Sequence, residues 1–199
     1  MNARTACTHF DGSSLQRLAG LVGAKWRFVT GDTLPERRPG SLAAFDAVIA
    51  AVEGRAVAVC SRLGTLDFEG YEEEYPFLTI EDADPSALEQ LRKSGRMFFQ
   101  KSGMEVRRVH IVREEITALR DGEVEWIYRT DVGVVFELSG AAVGIVKSSH
   151  HVEALFVSIG DSVDALDLPD RTIEWDWDNE LGEEYRTRRD LIPLELLSP

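Results

Sequence analysis

The stretch from Val106 to Asp161 constrains the fold most, because segments with strand character follow one another there with very short links. Between Val124 and Tyr128, every second residue has a large apolar or aromatic side chain, the period of a strand with one buried face. The dipeptide Asp121-Gly122 before it suits a two-residue hairpin turn. A parallel crossover needs roughly a dozen residues or more, so neighbouring strands joined by such links must be antiparallel.

We therefore expect an antiparallel meander of four or five strands in this stretch. Val109 and Ile111 stand at odd positions whereas Ile116 stands at an even one, and this change of parity predicts a bulge or a break near Arg113. The predicted strands are 116–120, 124–128, 132–138, 143–147 and 155–159.

Helix signals stand outside the meander. Ser13 is a candidate N-cap, and Gln16 completes a capping box before a helix that Gly23 can end. A second helix is predicted over 84–95, with Asp and Pro at its start and Gly at its end. The segment 183–190 is compatible with a third helix or with an extended strand.

The remaining N-terminal segments are predicted to alternate strand and loop. Two runs with every second residue apolar flank Glu53-Gly54 and predict a hairpin. Prolines and glycines predict a loop over 30–41. The predicted strands are 45–52, 56–62, 77–80 and 96–100.

These elements define an α+β class, with a predominantly antiparallel β-sheet (a meander) and two or three packed helices. A chain of 199 residues with 44% hydrophobic residues can bury an ordinary core. We expect one domain over 1–199, with a helix-hairpin part over 1–100 and the strand meander and acidic C-terminal segment over 101–199.

Negative charge is concentrated in two segments of a chain whose net charge is −13. The segment 63–91 has nine acidic residues and no Lys or Arg, and 161–184 has ten acidic residues against Arg171. A chain this acidic is repelled by nucleic acid unless it has a strong basic patch, and no such patch is visible. The acidity suits either a basic protein partner or simple solubility.

The second acidic segment contains the most unusual local pattern. Over 173–178, Ile and Trp alternate with Glu and Asp, so a strand there has one aromatic face and one acidic face. The aromatic face can pack against the core, or it can form part of a partner groove, since Trp and Tyr dominate binding hot spots. The predicted partner-binding residues are Glu72, Glu73, Glu74, Trp175, Asp176, Trp177, Asp178 and Tyr185.

Motifs for nucleotides and nucleophiles fail on their spacing. The segment 20–25 has Gly and Lys, but it lacks the four residues between glycines that a P-loop needs. No G-x-G-x-x-G occurs, and Ser158 and Ser162 lack the glycines of a nucleophile elbow. We therefore predict no cofactor and no catalytic residue.

Metal motifs fail as well. An EF-hand loop counted from Asp176 needs Gly at its sixth place and Glu at its twelfth, where this chain has Leu181 and Thr187. His150 and His151 are adjacent, and neighbours on a strand point to opposite faces. No metal site is predicted, and a calcium site of clustered carboxylates is the alternative.

The cellular compartment is predicted from two kinds of segment, a signal peptide and a membrane span, that we do not find in the sequence. Residues 1–14 have no apolar signal-peptide core, and no stretch approaches the roughly 20 apolar residues of a membrane span. Cys7 and Cys60 lack CxxC spacing and are expected to be free thiols. We expect a cytoplasmic protein that does not bind a membrane.

The favoured functional hypothesis is a non-enzymatic acidic protein that binds a basic protein partner. One version is a bacterial immunity-type protein that neutralises a basic toxin. The alternatives are a small-ligand sensor and a carboxylate-based hydrolase, with or without a metal. The hydrolase needs a pocket that gathers His150 or His151 with Asp161 or Asp176.

Overall fold

A computed structural model of the chain describes residues 3–38, 41–68, 71–83, 88, 97–98, 103–147, 152–168, 172–176 and 182–197. It contains one α-helix in these residues, α1 (Gly12–Ala19), and short 3₁₀ turns over 163–165 and 194–196. The strands are β1 (Arg4–Thr8), β2 (Trp26–Arg38), β3 (Ser41–Val52), β4 (Arg55–Phe68), β5 (Tyr71–Asp82), β6 (Met97–Phe98), β7 (Val106–Arg120), β8 (Glu123–Leu138), β9 (Ala141–Lys147), β10 (Leu155–Gly160), β11 (Thr172–Asp176) and β12 (Glu183–Pro193).

All the strands that the structure describes belong to one sheet, with the order β11-β12-β7-β8-β9-β10-β3-β2-β6. The remaining three strands branch from this path: β1 pairs in parallel with β8, β4 pairs with β3, and β5 pairs with β4. The strands β7 to β10 are consecutive antiparallel neighbours, which confirms the predicted meander.

Local sequence explains the geometry of the longest hairpin. Asp121 and Gly122 have φ values of 52° and 82°, so both turn residues are in the left-handed region that a two-residue hairpin turn requires. The register between β7 and β8 shifts between Val112 and Arg113, which confirms the predicted bulge. The predicted strands 124–128 and 132–138 are parts of one long strand, β8.

The sheet curls around one large hydrophobic cluster. The main-chain N–H of Trp26, at the start of β2, donates to the carbonyl of Met104 at 2.6 Å, and the N–H of Val106 donates to Ala24 at 3.0 Å. The Trp26 and Phe136 rings pack at 5.4 Å inside the curl. The cluster includes apolar residues from α1 and from most strands on both sides of residue 100, and the prediction of a single domain stays a prediction.

The first helix closes part of this core. Leu18 is fully buried in the cluster, together with Leu21 just after the helix. The N-cap is Asp11 rather than the predicted Ser13, because a carboxylate oxygen of Asp11 accepts a hydrogen bond from the N–H of Ser14 at 2.7 Å. The helix ends at Ala19, before the predicted Gly23.

The predicted class, with two or three packed helices, is wrong. The described residues form a mostly antiparallel sheet with a single α-helix. The segment 183–190 belongs to β12, whose backbone pairs with β7 on one side and with β11 on the other. Pairing on both sides satisfies its backbone as a strand, and this outweighs its helical i, i+4 pattern. The predicted helix over 84–95 lies outside the described residues, apart from Leu88.

The loop predicted over 30–41 is also wrong, since β2 extends to Arg38 and β3 begins at Ser41. The reason is a local irregularity: the β2–β3 register shifts between Leu34 and Arg38, and Pro35 lies within this shift. A proline has no N–H for the ladder, so an irregular place in the pairing is where a strand tolerates it. No helix in the described part of the chain is long and apolar enough to cross a membrane.

Replacing the N-cap tests the start of α1. We expect Asp11→Ala to lower the free energy of unfolding by about 1 kcal/mol, because the Ser14 N–H loses its acceptor. Ser13→Ala serves as the matched control and should cost less than about 0.5 kcal/mol. Urea denaturation followed by circular dichroism measures both, and a larger loss for Ser13→Ala would contradict the assigned cap.

Candidate functional site

The hairpin of β4 and β5 continues beyond the point where β4 stops pairing with β3. Strand β3 pairs with β4 only over Arg55–Cys60, and β4 continues to Phe68. Residues 61–68 and 71–78 therefore form a two-stranded extension, which we call the arm. The arm carries the first of the two acidic segments, so its geometry decides what those carboxylates can do.

Three carboxylates share one face of the arm. Asp67 lies directly opposite Glu72, and Thr65 lies opposite Glu74, and cross-strand partners point to the same side of a sheet. Asp67, Glu72 and Glu74 are all exposed, and we call them the acidic face. Like charges placed directly opposite each other destabilise a hairpin.

The base of the same hairpin has its acids neutralised. Arg62 forms a two-nitrogen pair with Glu81 at 2.9–3.0 Å, and Arg17 of α1 pairs with Asp82 at 3.0 Å. These hydrogen bonds from Arg62 and Thr79 hold the pKa of Glu81 below its usual value, although desolvation opposes them. Glu72 and Glu74, in contrast, form no ion pair with any residue that the structure describes.

An aromatic row runs from the arm across one face of the long strands. Tyr75 of the arm packs against Tyr128 of β8 with ring centroids 6.2 Å apart. Trp126, two residues earlier on the same face of β8, packs edge-on against Tyr185 of β12 at 5.9 Å. Tyr128 is buried and the other three are half-buried. We call these four residues the aromatic row.

Hydrogen bonds among three hydroxyl groups hold Tyr128, the buried member of this row, in place. The Thr8 hydroxyl of β1 lies 2.6 Å from the Tyr128 hydroxyl and donates to the Thr130 hydroxyl at 2.8 Å. A buried phenol needs such a partner, because an unpaired hydroxyl is costly in the interior. Strand β1 therefore positions Tyr128 as well as extending the sheet.

Beside the row lies a buried ion cluster of Glu114, Lys147 and Arg189. The Arg189 guanidinium donates to both carboxylate oxygens of Glu114 at 3.2–3.4 Å, and both side chains are at most 3% exposed. Arg189 also donates to the main-chain carbonyl of Lys147 at 3.0 Å. The Lys147 ammonium in turn donates to the carbonyl of Pro76 in the arm. These contacts connect β7, β9, β12 and the arm.

Burial determines the electrostatics of this cluster. Desolvation raises the pKa of Glu114, and the neighbouring Arg189 opposes that rise. Desolvation also lowers the pKa of Lys147 to about 8, and Glu114 opposes that fall. Arg suits the central place because its planar fork can bind a carboxylate and a carbonyl together without losing its charge. The cluster thus fastens the arm to the sheet through Pro76.

A second charged group lies on the other face of β7 and β8. Arg113 donates to Asp131 at 2.7 Å, and Asp131 accepts the main-chain N–H of Phe10 at 2.8 Å. These bonds attach the link between β1 and α1 to the sheet. Partial desolvation, and then the guanidinium of Arg113, lowers the pKa of His9 nearby. The hydrogen bonds of Arg113 and Asp131 therefore stabilise the fold.

The predicted partner-binding residues lie in the arm, in β12, in β11 and outside the described residues. Glu72 and Glu74 belong to the acidic face, and Glu73 lies in β5 with its backbone opposite Leu66. Tyr185 belongs to the aromatic row. The backbones of Trp175 and Asp176 lie in β11, opposite Tyr185 and Glu184. Trp177 and Asp178 lie outside the described residues. The aromatic row thus runs between the acidic arm and the strand that pairs with β11.

Of the four residues that the hydrolase hypothesis needs, the structure describes only Asp161 and the backbone of Asp176. His150 and His151 lie outside the described residues, and Asp161 is exposed just after β10. The described residues contain no group of three or more His, Cys, Asp or Glu that could hold a metal ion. Both cysteines are free thiols, with Cys7 exposed and Cys60 buried.

The sequence analysis missed the aromatic row and the buried ion cluster. One signal was available: Glu114 and Lys147 have the same parity as their apolar neighbours Ile116 and Ile145, so an inward-facing strand position held a charge. The pairing of Tyr75 with Tyr128 had no such signal.

A comparison of the chain with protein-family models, curated proteins and solved structures finds no match. Function must therefore be inferred from the chain's own residues.

Removing one member of the buried pair tests its structural role. We expect Arg189→Met to lower the free energy of unfolding by about 3–5 kcal/mol, because Glu114 is left buried without its counter-ion. The control is Arg188→Met on the adjacent residue, which is exposed and should cost less than about 1 kcal/mol. Equal effects in urea denaturation would contradict the cluster's importance.

The lowered pKa of Lys147 predicts a pH dependence. Between the folded pKa of about 8 and the usual lysine pKa of 10.5, the unfolded chain binds more protons than the folded one. Stability therefore rises with pH in that window, by at most about 1.4 kcal/mol per pH unit. We expect the difference in free energy of unfolding between the native protein and Lys147→Met to rise with pH up to pH 10 and to level off below about pH 7.

Lys25→Met, which removes an exposed lysine paired with Glu105 at 3.2 Å, is the control for loss of a lysine charge. Denaturant titrations at a series of pH values measure all three proteins. A Lys147→Met difference that does not change between pH 7 and pH 10 would show that Lys147 has an ordinary pKa in the folded protein.

Proposed function

We propose that the protein is a non-enzymatic binding protein that uses the acidic face of the arm, together with the aromatic row, to hold a basic protein partner. The observation that carries this proposal is the pair of Glu72 and Glu74, which lie two residues apart on one face of β5. Both are exposed and form no ion pair with any residue that the structure describes, whereas the acids at the base of the same hairpin are paired with arginines.

An arrangement that costs stability is expected where a function requires it. Two neighbouring carboxylates on one face of a strand repel each other, and this weakens the hairpin. A cationic side chain bound between them removes the repulsion and adds charge-assisted hydrogen bonds. Simple solubility is served equally well by carboxylates that are spread apart, so it does not account for the pair.

The aromatic row supplies the other component of a binding surface. Tyr and Trp dominate interface hot spots because they bury a large apolar area and keep a polar group for hydrogen bonding. Tyr75, Trp126 and Tyr185 are half-buried. Tyr75 follows Glu74 directly in β5, so the two side chains lie on opposite faces of the arm. Guanidinium and ammonium groups also pack favourably over such rings. With acids on one face of the arm and an aromatic ring on the other, the arm favours a partner rich in Arg and Lys that contacts both faces.

The overall charge supports the same class of partner. A net charge of −13 repels nucleic acid and steers a basic protein towards the surface, with an effect that salt weakens. In its most specific form, the proposal is an immunity-type protein that neutralises a basic toxin in the bacterial cytoplasm. Glu73, Trp175, Asp176, Trp177 and Asp178 remain proposed members of the binding surface.

Affinity capture from the native host at low and high salt tests this proposal. We expect a basic protein to be retained at low salt, and its affinity to fall about tenfold for the double variant Glu72→Gln/Glu74→Gln, measured by calorimetry with the purified partner. The matched control is Glu53→Gln/Glu123→Gln, which removes two exposed acids at other hairpin turns. Equal affinity of the two double variants, or no captured basic protein at either salt, would overturn the proposal.

A further inference from the structure

We propose that the partner binds by strand addition: an extended basic segment pairs with the outer edge of β5 at Glu72 and Glu74. This inference rests on the proposed function and goes further, because it specifies the binding mode and the chemistry of the segment. In the part of the chain that the structure describes, β5 pairs with β4 only, so its other edge has no partner strand.

The direction of the backbone groups follows from the hydrogen bonds at the base of the hairpin. The N–H of Ala83 donates to the carbonyl of Ala56 at 3.1 Å, in continuation of the register that pairs Asp82 with Val57. Odd-numbered residues of β5 are therefore bonded to β4. Since successive residues of a strand alternate, the even-numbered residues direct their N–H and C=O groups towards the outer edge.

Two contacts on the outer edge agree with this assignment. The N–H of Ile80 donates to the Ser14 hydroxyl of α1 at 3.3 Å, and the carbonyl of Pro76 accepts from Lys147. Both residues are even-numbered, and both contacts close the edge at the base of the arm. Proline also has no N–H to offer there.

Beyond Pro76, no strand in the described part of the chain covers the outer edge of β5. The main-chain N–H and C=O groups of Glu72 and Glu74 have no hydrogen-bond partner among the described residues, and both residues are exposed. An exposed row of such groups is a template for an added strand. The open segment thus has a defined position, because Lys147 and Ser14 fix the strand on one side of it.

Charge determines which strand can be added. A second copy of this chain is disfavoured, because pairing β5 with itself sets its glutamates against one another. Charge and proline on an edge strand are common protection against self-association, and Glu72, Glu74 and Pro76 provide it here. The same charges attract a segment with Lys or Arg at every second residue, since residues directly opposite Glu72 and Glu74 share their face.

Synthetic peptides distinguish backbone pairing from charge attraction. The probe is a capped peptide of about eight residues in which Lys and Val alternate. In an added strand, the residues directly opposite Glu72 and Glu74 exchange both main-chain hydrogen bonds with them. N-methylation of the lysines therefore removes the donors that face β5, whereas N-methylation of the valines removes donors that face solvent. All three peptides have the same charge.

We expect the unmodified and the valine-methylated peptides to bind with similar affinity, and the lysine-methylated peptide to bind at least about tenfold more weakly. Glu72→Gln/Glu74→Gln should weaken binding of the unmodified peptide. Fluorescence anisotropy at low salt measures these affinities. Amide exchange should slow at Glu72 and Glu74 when the peptide binds, and stay unchanged at the control amide of Glu123.

Equal binding of the lysine-methylated peptide, or no slowing of exchange at Glu72 and Glu74, would overturn strand addition and leave the proposed electrostatic partner intact. No binding of any peptide would also overturn strand addition. The capture experiment decides the proposed function separately, because it does not depend on how the partner's backbone is arranged.

Discussion

The buried ion pair of Glu114 and Arg189 is the interaction on which the attachment of β12 and of the arm to the sheet depends. Removing two charges from water costs several kcal/mol for each ion, and only good geometry with further hydrogen bonds offsets this. Arg189 provides both, since it contacts two oxygens of Glu114 and the carbonyl of Lys147. An apolar core would hold the strands as well, but it would not fix a carbonyl of a separate hairpin at one point.

Lys147 extends this geometry from the sheet to the arm. Its backbone carbonyl is bound by Arg189, and its ammonium binds Pro76 of the arm. The arm is thereby held beside Tyr128, where Tyr75 packs. The acidic face and the aromatic row are neighbours because of buried contacts that touch neither the carboxylates of Glu72 and Glu74 nor Trp126. The exposed acids and rings are in this way positioned by buried contacts in another part of the fold.

Local sequence patterns predicted the features that depend on residues close together in the chain. The alternation in β8 and the Asp121-Gly122 turn gave the meander, and the parity change gave the bulge beside Arg113. The helix over 183–190 failed because pairing with β7 and β11 satisfies that backbone better than a helix can. Sequence composition marked Glu72 and Glu74 as candidates, but only the register with β4 shows that Glu72 faces Asp67. The contact of Tyr75 with Tyr128 depends on long-range topology and has no local signature.

The contacts that hold the arm are distant in the chain. Glu114 and Arg189 are separated by 75 residues, and Pro76 and Lys147 by 71. Loops of this length must close before the charges meet, and non-local pairing is slow compared with the formation of the β7–β8 hairpin. During folding, Glu114 and Lys147 must therefore stay hydrated until β12 docks. Strand β12 carries the counter-ion of Glu114, so the removal of water from this charge is coupled to the pairing of β12 with β7.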